Sequence, residues 1–426
     1  MVEREVFDKS ILVVGGGISG LTTALEAAET GYRVILVEKE AFLGGRVARL
    51  NKYYTKLCPP SCGLEINFKR IKRNPNIQYF TLAEVESVSG EEGNYDVAIR
   101  VQPRYVNDNC TACGECEKVC VTEIENDFNL GMDKTKAAYI PYQLAFPMKY
   151  VLAPEIIGTD EAKKCLEACK YNAIDLGMQS ETINVKVGSI VVTSGWKPYD
   201  ASKIDNLGFG KYENVITNVM MERLAAPNGP TNGKILRPSD GKEVKNVIFV
   251  QCAGSRDENH LPYCSAVCCL ASLKQATYVR EQYQESKVTI FYIDIRAIGR
   301  FEDFYTKVQS DENVSFIKGK VAKVEEDPAT KDPIVEVEDT LSGEKIKAKA
   351  DLVVLATGIV PNMSDNKIPV NITCDEFGFA VSDPSKTGIY AAGCAKRPIG
   401  VAGAVQDATG AALKAIQSTL RRVTNG

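Results

Sequence analysis

Three segments near the start of the chain set a pattern. Ser10 to Val14 is a short apolar run, Leu21 to Glu29 carries its apolar residues at helical spacing, and Val34-Ile35-Leu36-Val37 is apolar again and closes on Glu38. Two buried strands around an amphipathic helix are the expected reading. Between the first strand and the helix lies Gly15-Gly16-Gly17-Ile18-Ser19-Gly20. Glycines at 15, 17 and 20 fit GxGxxG: the first permits the tight turn, the second lets backbone approach a pyrophosphate, and the third lets helix and strand pack closely. A helix beginning near Ile18 points its positive end at that pyrophosphate. Glu38, eighteen residues past Gly20 and followed by Lys39, sits where a carboxylate accepts hydrogen bonds from ribose hydroxyls.

Later segments decide between FAD and NAD. Gly44-Gly45-Arg46 follows the second strand, as in the flavin-binding branch of the two-dinucleotide fold. Val191 to Gly195 and Val353 to Gly358 each read as a buried strand ending in Thr and a glycine turn, the pattern of crossings between two nucleotide domains. Gly388 to Gly393, followed by a helical stretch from Gly403 to Leu420, resembles the segment that meets the flavin ribityl chain. Four segments in this order predict FAD, contacted by Gly15, Gly17, Ile18, Ser19, Gly20, Glu38, Lys39, Gly45, Arg46, Val85, Gly195, Gly358, Gly393 and Cys394. Flavoprotein disulfide reductases usually carry Asp after the last glycine, where this chain has Cys394.

Composition narrows the classes. At roughly 150 residues per domain, 426 residues suggest about three domains. A net charge of -4 argues against binding a nucleic acid backbone, and no apolar run approaches a membrane span. Met1 to Ser10 holds five charges and lacks a signal-peptide profile, which predicts a cytoplasmic chain. In a reducing compartment the 14 cysteines read as metal ligands or redox groups rather than disulfides. With His260 as the single histidine, read as a loop residue, histidine-rich metal sites are excluded.

The cysteines fall into patterns. Cys110-x2-Cys113-x2-Cys116-x3-Cys120 is the bacterial ferredoxin run. Its partner, Cys165-x3-Cys169, matches only the tail of a second motif, whose last cysteine returns to the first cluster. Cys110, Cys113, Cys116 and Cys169 therefore make one 4Fe-4S set, against the alternative of a structural zinc loop. Cys120 and Cys165 are left over unless Cys58 and Cys62 join them. The intervening Val121 to Lys164 is expected to pack on the host domain or on a partner. Farther on, Lys245 to Gln251, Ala266 to Gln284 and Val288 to Ile293 repeat the strand, helix, strand order without a glycine loop, so NAD(P)H is not expected there. Instead come Cys252, Cys264, Cys268 and Cys269. If the helix has started by Cys264, that residue and Cys268 share a face, and the four thiols converge on a second cluster; buried apolar cysteines are the alternative.

With these residues in view, the chain resembles the heterodisulfide reductase A-subunit family over nearly its whole length. Its shorter length and degraded second ferredoxin motif look closer to the A-subunit of the quinone-interacting membrane-bound oxidoreductase complex of sulfate reducers. The resemblance implies an α/β, thioredoxin-reductase-like flavoprotein of two dinucleotide-binding domains with an inserted ferredoxin-like segment. It implies non-covalent FAD, two 4Fe-4S clusters, and ligation by Cys252, Cys264, Cys268 and Cys269 where a nicotinamide site would otherwise lie. Implied partners are adenylylsulfate reductase, a haem-bearing membrane subunit, and one more subunit with flavin and iron-sulfur centres; the chain would be held at the membrane through them. Expected boundaries are 1–104 and 181–235 for the first FAD-domain parts, 105–180 for the insertion, 236–349 for the second Rossmann-like domain and 350–426 for the FAD-domain end. Two other functions remain open: a disulfide reductase using Cys58 and Cys62, and a docking scaffold with structural FAD. No catalytic residue beyond the cofactors is expected.

Overall fold

The computed structural model describes residues 9–365, 367–381 and 388–421; most of the charged N-terminal stretch read above lies outside them. The chain divides into two compact units. The first runs through Ala48, resumes at Ser61–Trp196 and again from Pro361; the second is Arg49–Pro60 with Lys197–Val360.

The first unit is built on a five-stranded sheet in the order Ile389–Ala391, Ser189–Val192, Ser10–Val14, Arg33–Val37, Ile77–Phe80. All neighbours are parallel, with Leu12 opposite Ile35 on one side and Ile190 on the other. Both faces of such a sheet are covered, so its strands are continuously apolar rather than alternating; Ile11, Leu12 and Val13 have no exposed surface. Helix Ile18–Glu29 packs against helix Val401–Arg421, where Thr23 Oγ1 donates to Ala408 O. A three-stranded antiparallel sheet of Glu181–Val187, Asn94–Val101 and Ala83–Glu91 completes the frame.

The second unit repeats this plan. Strands Val215–Thr217, Leu352–Thr357, Asn246–Ala253, Lys287–Tyr292 and Val314–Lys318 form a parallel sheet in that order, beside an antiparallel sheet of Val321–Glu326, Pro333–Glu338 and Lys345–Lys349.

Two expected boundaries shift. Residues 197–235, assigned to the FAD domain, belong to the second unit because Val215–Thr217 pairs with Leu352–Thr357. The insertion 105–180 is not a separate unit either. It has a small core of its own around Val106, Ala138, Leu152, Ile156 and Cys165. Its segment Val121 to Lys164 also docks on the host: Phe128 meets Phe42 edge-on at 5.6 Å and stacks on Tyr142 at 4.6 Å, while Phe146 stacks on Phe68 at 5.1 Å. Each such ring pair adds about 0.5–1.5 kcal/mol beyond its buried area, and Leu43 N donates to Phe146 O at 2.8 Å. The host-domain expectation for this segment matches these contacts.

Candidate flavin and iron-sulfur sites

The glycine loop of the first unit is shaped by two kinds of constraint. A Cβ on Gly20 would lie 1.8 Å from Gly15 O, and one on Gly15 would lie 2.4 Å from Thr193 O; these glycines answer to backbone packing. Gly17 does not. Its φ of -72° suits any residue, and an added Cβ would meet nothing nearer than Gly45 Cα at 4.0 Å. Nothing within the protein demands glycine there, whereas a group brought against the N-terminus of helix Ile18–Glu29 does. That cradle is closed by Gly44 N donating to Gly16 O at 2.8 Å and by Gly393, whose own Cβ position lies 2.2 Å from Ser19 Oγ.

Glu38 follows the second strand, buried. Its Oε2 accepts from Gly16 N at 2.6 Å and its Oε1 from Glu40 N at 2.9 Å. Burial outweighs these bonds and pushes the carboxyl up to about 7. Lys39 beside it is exposed, and Val85 is buried in the core between the parallel and antiparallel sheets. Arg46 Nε donates to Trp196 O at 2.5 Å with its guanidinium 5.1 Å from the indole centroid. Cys394 is buried, its thiol donating to Ile399 O and pushed up to about 11 by burial. Close by, Asp407 Oδ2 accepts from Gly393 N at 2.9 Å, and Asp407 pairs with Lys396 at 3.0 Å. Gly195 has φ 70° and open space at its Cβ, while Gly358 lies in the second unit, where a Cβ would collide with Ser255 Oγ at 2.3 Å. Packing alone accounts for glycine at 358.

In the insertion, Cys110, Cys113, Cys116 and Cys169 line one cavity, with Tyr150 and Tyr171 beside them. Cys113 and Tyr171 are exposed at its mouth, and Cys116 is buried. Ala112, between the first two cysteines, has φ 57° and Gly114 has φ 83°, the alternation that turns successive N–H groups inward toward an anionic centre. Ala173 N donates to Cys169 Sγ at 3.4 Å. Cys120 and Cys165 lie outside the lining and are fully buried behind it; Ala138 N donates to the first sulfur and the second donates to Cys116 O. Among the described residues no three Cys, His, Asp or Glu side chains gather closely enough for a single metal ion. A cubane makes no such demand, since its thiolates bind separate irons.

In the second unit the four other cysteines cluster at the end of strand Asn246–Ala253. Cys252 itself has φ 56° at a break in the strand register, and Arg256 and Ala266 are also left-handed, at 56° and 61°. Three non-glycine residues in this conformation mark a loop held in a costly shape. Helix Cys268–Gln282 begins at Cys268, so the condition that it had started by Cys264 fails: Ala266 interrupts it, and Cys264 reaches the group from the loop. Burial pushes Cys252, Cys268 and Cys269 up, and each also feels the neighbouring thiols. Gln251, one residue before Cys252, buries both amide atoms without a partner, at a cost of roughly 1–3 kcal/mol per group. Cys58 and Cys62 are exposed, and so is Cys374. His260 Nδ1 is bonded to Tyr199 Oη at 2.8 Å in the loop.

One buried group escaped the sequence reading altogether. Lys274 Nζ lies 3.0 Å from Glu222 Oε1, both almost without exposed surface. Gln275 donates to the same oxygen at 2.6 Å, Asn51 N to the other at 3.0 Å, and Lys274 donates to Lys52 O.

A family model described as FAD dependent oxidoreductase matches residues 10–53, the glycine loop and both its strands. The chain is 40% identical to an iron-sulfur A-subunit of CoB–CoM heterodisulfide reductase from Methanopyrus kandleri, over 96% of its own length and 64% of the relative's. It is 39% identical to the corresponding iron-sulfur A-subunit of Methanocaldococcus jannaschii over 95% and 63%. The chain thus spans a little under two thirds of the length of these relatives. Among solved structures, T. acidophilum thioredoxin reductase superposes with a TM-score of 0.54 at 16% identity, covering 97% of this chain and 99% of the reductase, which speaks for the fold.

Proposed function

We propose, from the premise that the chain belongs to the heterodisulfide reductase A-subunit family, that it is a flavin and iron-sulfur electron-transfer oxidoreductase subunit. The observation carrying this reading is the lining of one cavity by Cys110, Cys113, Cys116 and Cys169 in a chain whose Gly17 leaves room for a pyrophosphate. Bound FAD supplies the exchange between two-electron and one-electron chemistry. The chain's part is to hold it: Gly17 admits the pyrophosphate, helix Ile18–Glu29 offers its N–H groups, and Glu38 accepts from the ribose. Cys110, Cys113, Cys116 and Cys169 would hold one 4Fe-4S cluster and Cys252, Cys264, Cys268 and Cys269 another, with Cys116 and Cys268 themselves buried.

The finer assignment is a relay between a quinone-linked, haem-bearing membrane partner and a cytoplasmic acceptor such as adenylylsulfate reductase, working with one more subunit that carries flavin and iron-sulfur centres. No helix among the described residues is long and apolar enough to cross a membrane, so membrane association would run through partners. The names of the relatives favour a second reading, a component of a heterodisulfide-reducing complex. Anaerobic purification followed by flavin and iron counting tests the common core: one FAD and two clusters of four irons are expected, and a chain with flavin but no iron overturns it. Reduction of the flavin by menaquinol in the assembled complex, but not by thiol pairs, supports the quinone-linked assignment; the reverse supports the alternative.

A further inference from the structure

The loop following strand Lys287–Tyr292 carries Asp294 and Arg296, and the electron route proposed above makes no use of them. Arg256, from the left-handed turn after Cys252, forms an ion pair with Asp294 Oδ1. Arg296 Nε lies 3.5 Å from Asp294 Oδ2. The same two guanidinium groups act electrostatically on the cysteines, Arg256 on Cys252 and Arg296 on Cys264. Cys269 Sγ lies 3.7 Å from Asp294 O. One carboxylate thereby gathers two cations at the edge of the four-cysteine group. Side-chain exposures of 24% for Arg256 and 44% for Arg296 put both at the rim between sulfur and water.

We propose that Arg256 and Arg296, oriented by Asp294, are positioning residues that raise the reduction potential of the cluster held by Cys252, Cys264, Cys268 and Cys269; this rests on reading that set as cluster ligands. Four thiolates outweigh the positive charge of a cubane core, so an added electron makes an anionic site more anionic. Fixed cations beside the sulfurs therefore favour the reduced form. One electron enters the cluster from the flavin or a partner and leaves by the same kind of transfer, with no bond made or broken and no proton moved.

The experiment uses the full chain, reconstituted anaerobically with iron and sulfide, in a Cys113→Ser background that lacks the insertion's cluster. Iron per chain is counted first, and the remaining cluster is then titrated by EPR at controlled potential. Arg296→Gln and Arg256→Gln are each expected to keep their iron and to lower the reduced-to-oxidised ratio at fixed poise roughly tenfold, about 59 mV for one electron. Arg296→Lys keeps the charge and should recover most of the shift. Retained iron with unshifted potentials in both glutamine variants overturns the proposal, and so does an Arg296→Lys variant that recovers none of the shift, the mark of a loop that merely supports the site. A different failure belongs to the underlying reading: if Cys252→Ser in the same background loses no iron, the set is not a cluster site.

Discussion

Replacing Gly17 by alanine separates ligand from fold. Its backbone is at φ -72°, and the new methyl would find Gly45 Cα at 4.0 Å, an ordinary contact. Losing glycine restricts the unfolded chain and stabilises by about 0.4–1 kcal/mol, while alanine is a poorer N-cap by about the same amount. The flavin-free protein should therefore melt within about 0.5 kcal/mol of wild type. The flavin meets a methyl where its pyrophosphate must come close. Overpacking of one carbon costs about 1–3 kcal/mol, which at 1.4 kcal/mol per factor of ten weakens FAD binding roughly 5- to 150-fold. Gly20→Ala is the contrast: its methyl would sit 1.8 Å from Gly15 O, so strand and helix must separate and the fold itself suffers. The assay is titration of deflavinated protein by flavin fluorescence, beside thermal unfolding without FAD. Wild-type affinity in Gly17→Ala refutes the reasoning, as does a large loss of stability in the absence of flavin.

Cys110→Ser or Cys169→Ser should remove one cluster's iron, about four per chain, whereas Cys120→Ser, outside the cavity lining, should leave the iron count unchanged. Lys274→Ala strands the buried Glu222 carboxylate and should cost about 3–5 kcal/mol by denaturant unfolding; Lys274→Met with Glu222→Leu should cost less, because no charge is left unpaired. Glu38 has a folded pKa of about 7, above its ordinary 4.5. The folded state therefore keeps its proton longer, and the stability this group contributes is present in full below pH 4.5 and lost as pH rises through 7. Relative to wild type, the flavin-free Glu38→Gln protein should gain stability across that window, while wild-type FAD affinity rises with pH because the ionised carboxylate accepts better from the ribose. A pH-independent difference in melting between the two would contradict this.

The flavin half was the most readable because two periodicities and a glycine spacing coincide: Ser10–Val14, Ile18–Glu29 and Arg33–Val37 stand where their apolar pattern put them. The boundary at 235 was missed because strand Val215–Thr217 is only three residues long, too short to show a period. The loop around Cys252 and Cys264 was opaque for a different reason. Its left-handed positions are Cys252, Arg256 and Ala266 rather than glycines, so nothing in composition announces the turn. Arg256 meets Asp294 and Arg296 only through tertiary structure, across the intervening helix and strand. Lys274 and Glu222 read in isolation as charges on solvated helix faces; the hint available was Lys274 beside Leu273 and Ala276 at core spacing. Asp407 was likewise hidden inside an otherwise regular helical stretch.

The strand order of the first unit has a consequence for biosynthesis. Ser189–Val192 lies between Ser10–Val14 and Ile389–Ala391, and Gly393 closes the cradle against Ser19. On a ribosome adding roughly 10 residues per second, Ser19 waits on the order of 40 s for Gly393. The cysteines of the insertion emerge early in that interval and those of the second unit before it ends. Both cysteine sets are thus synthesised before the last glycine of the cradle, so a pyrophosphate seat that needs Gly393 is finished only after all eight of those cysteines are in the chain.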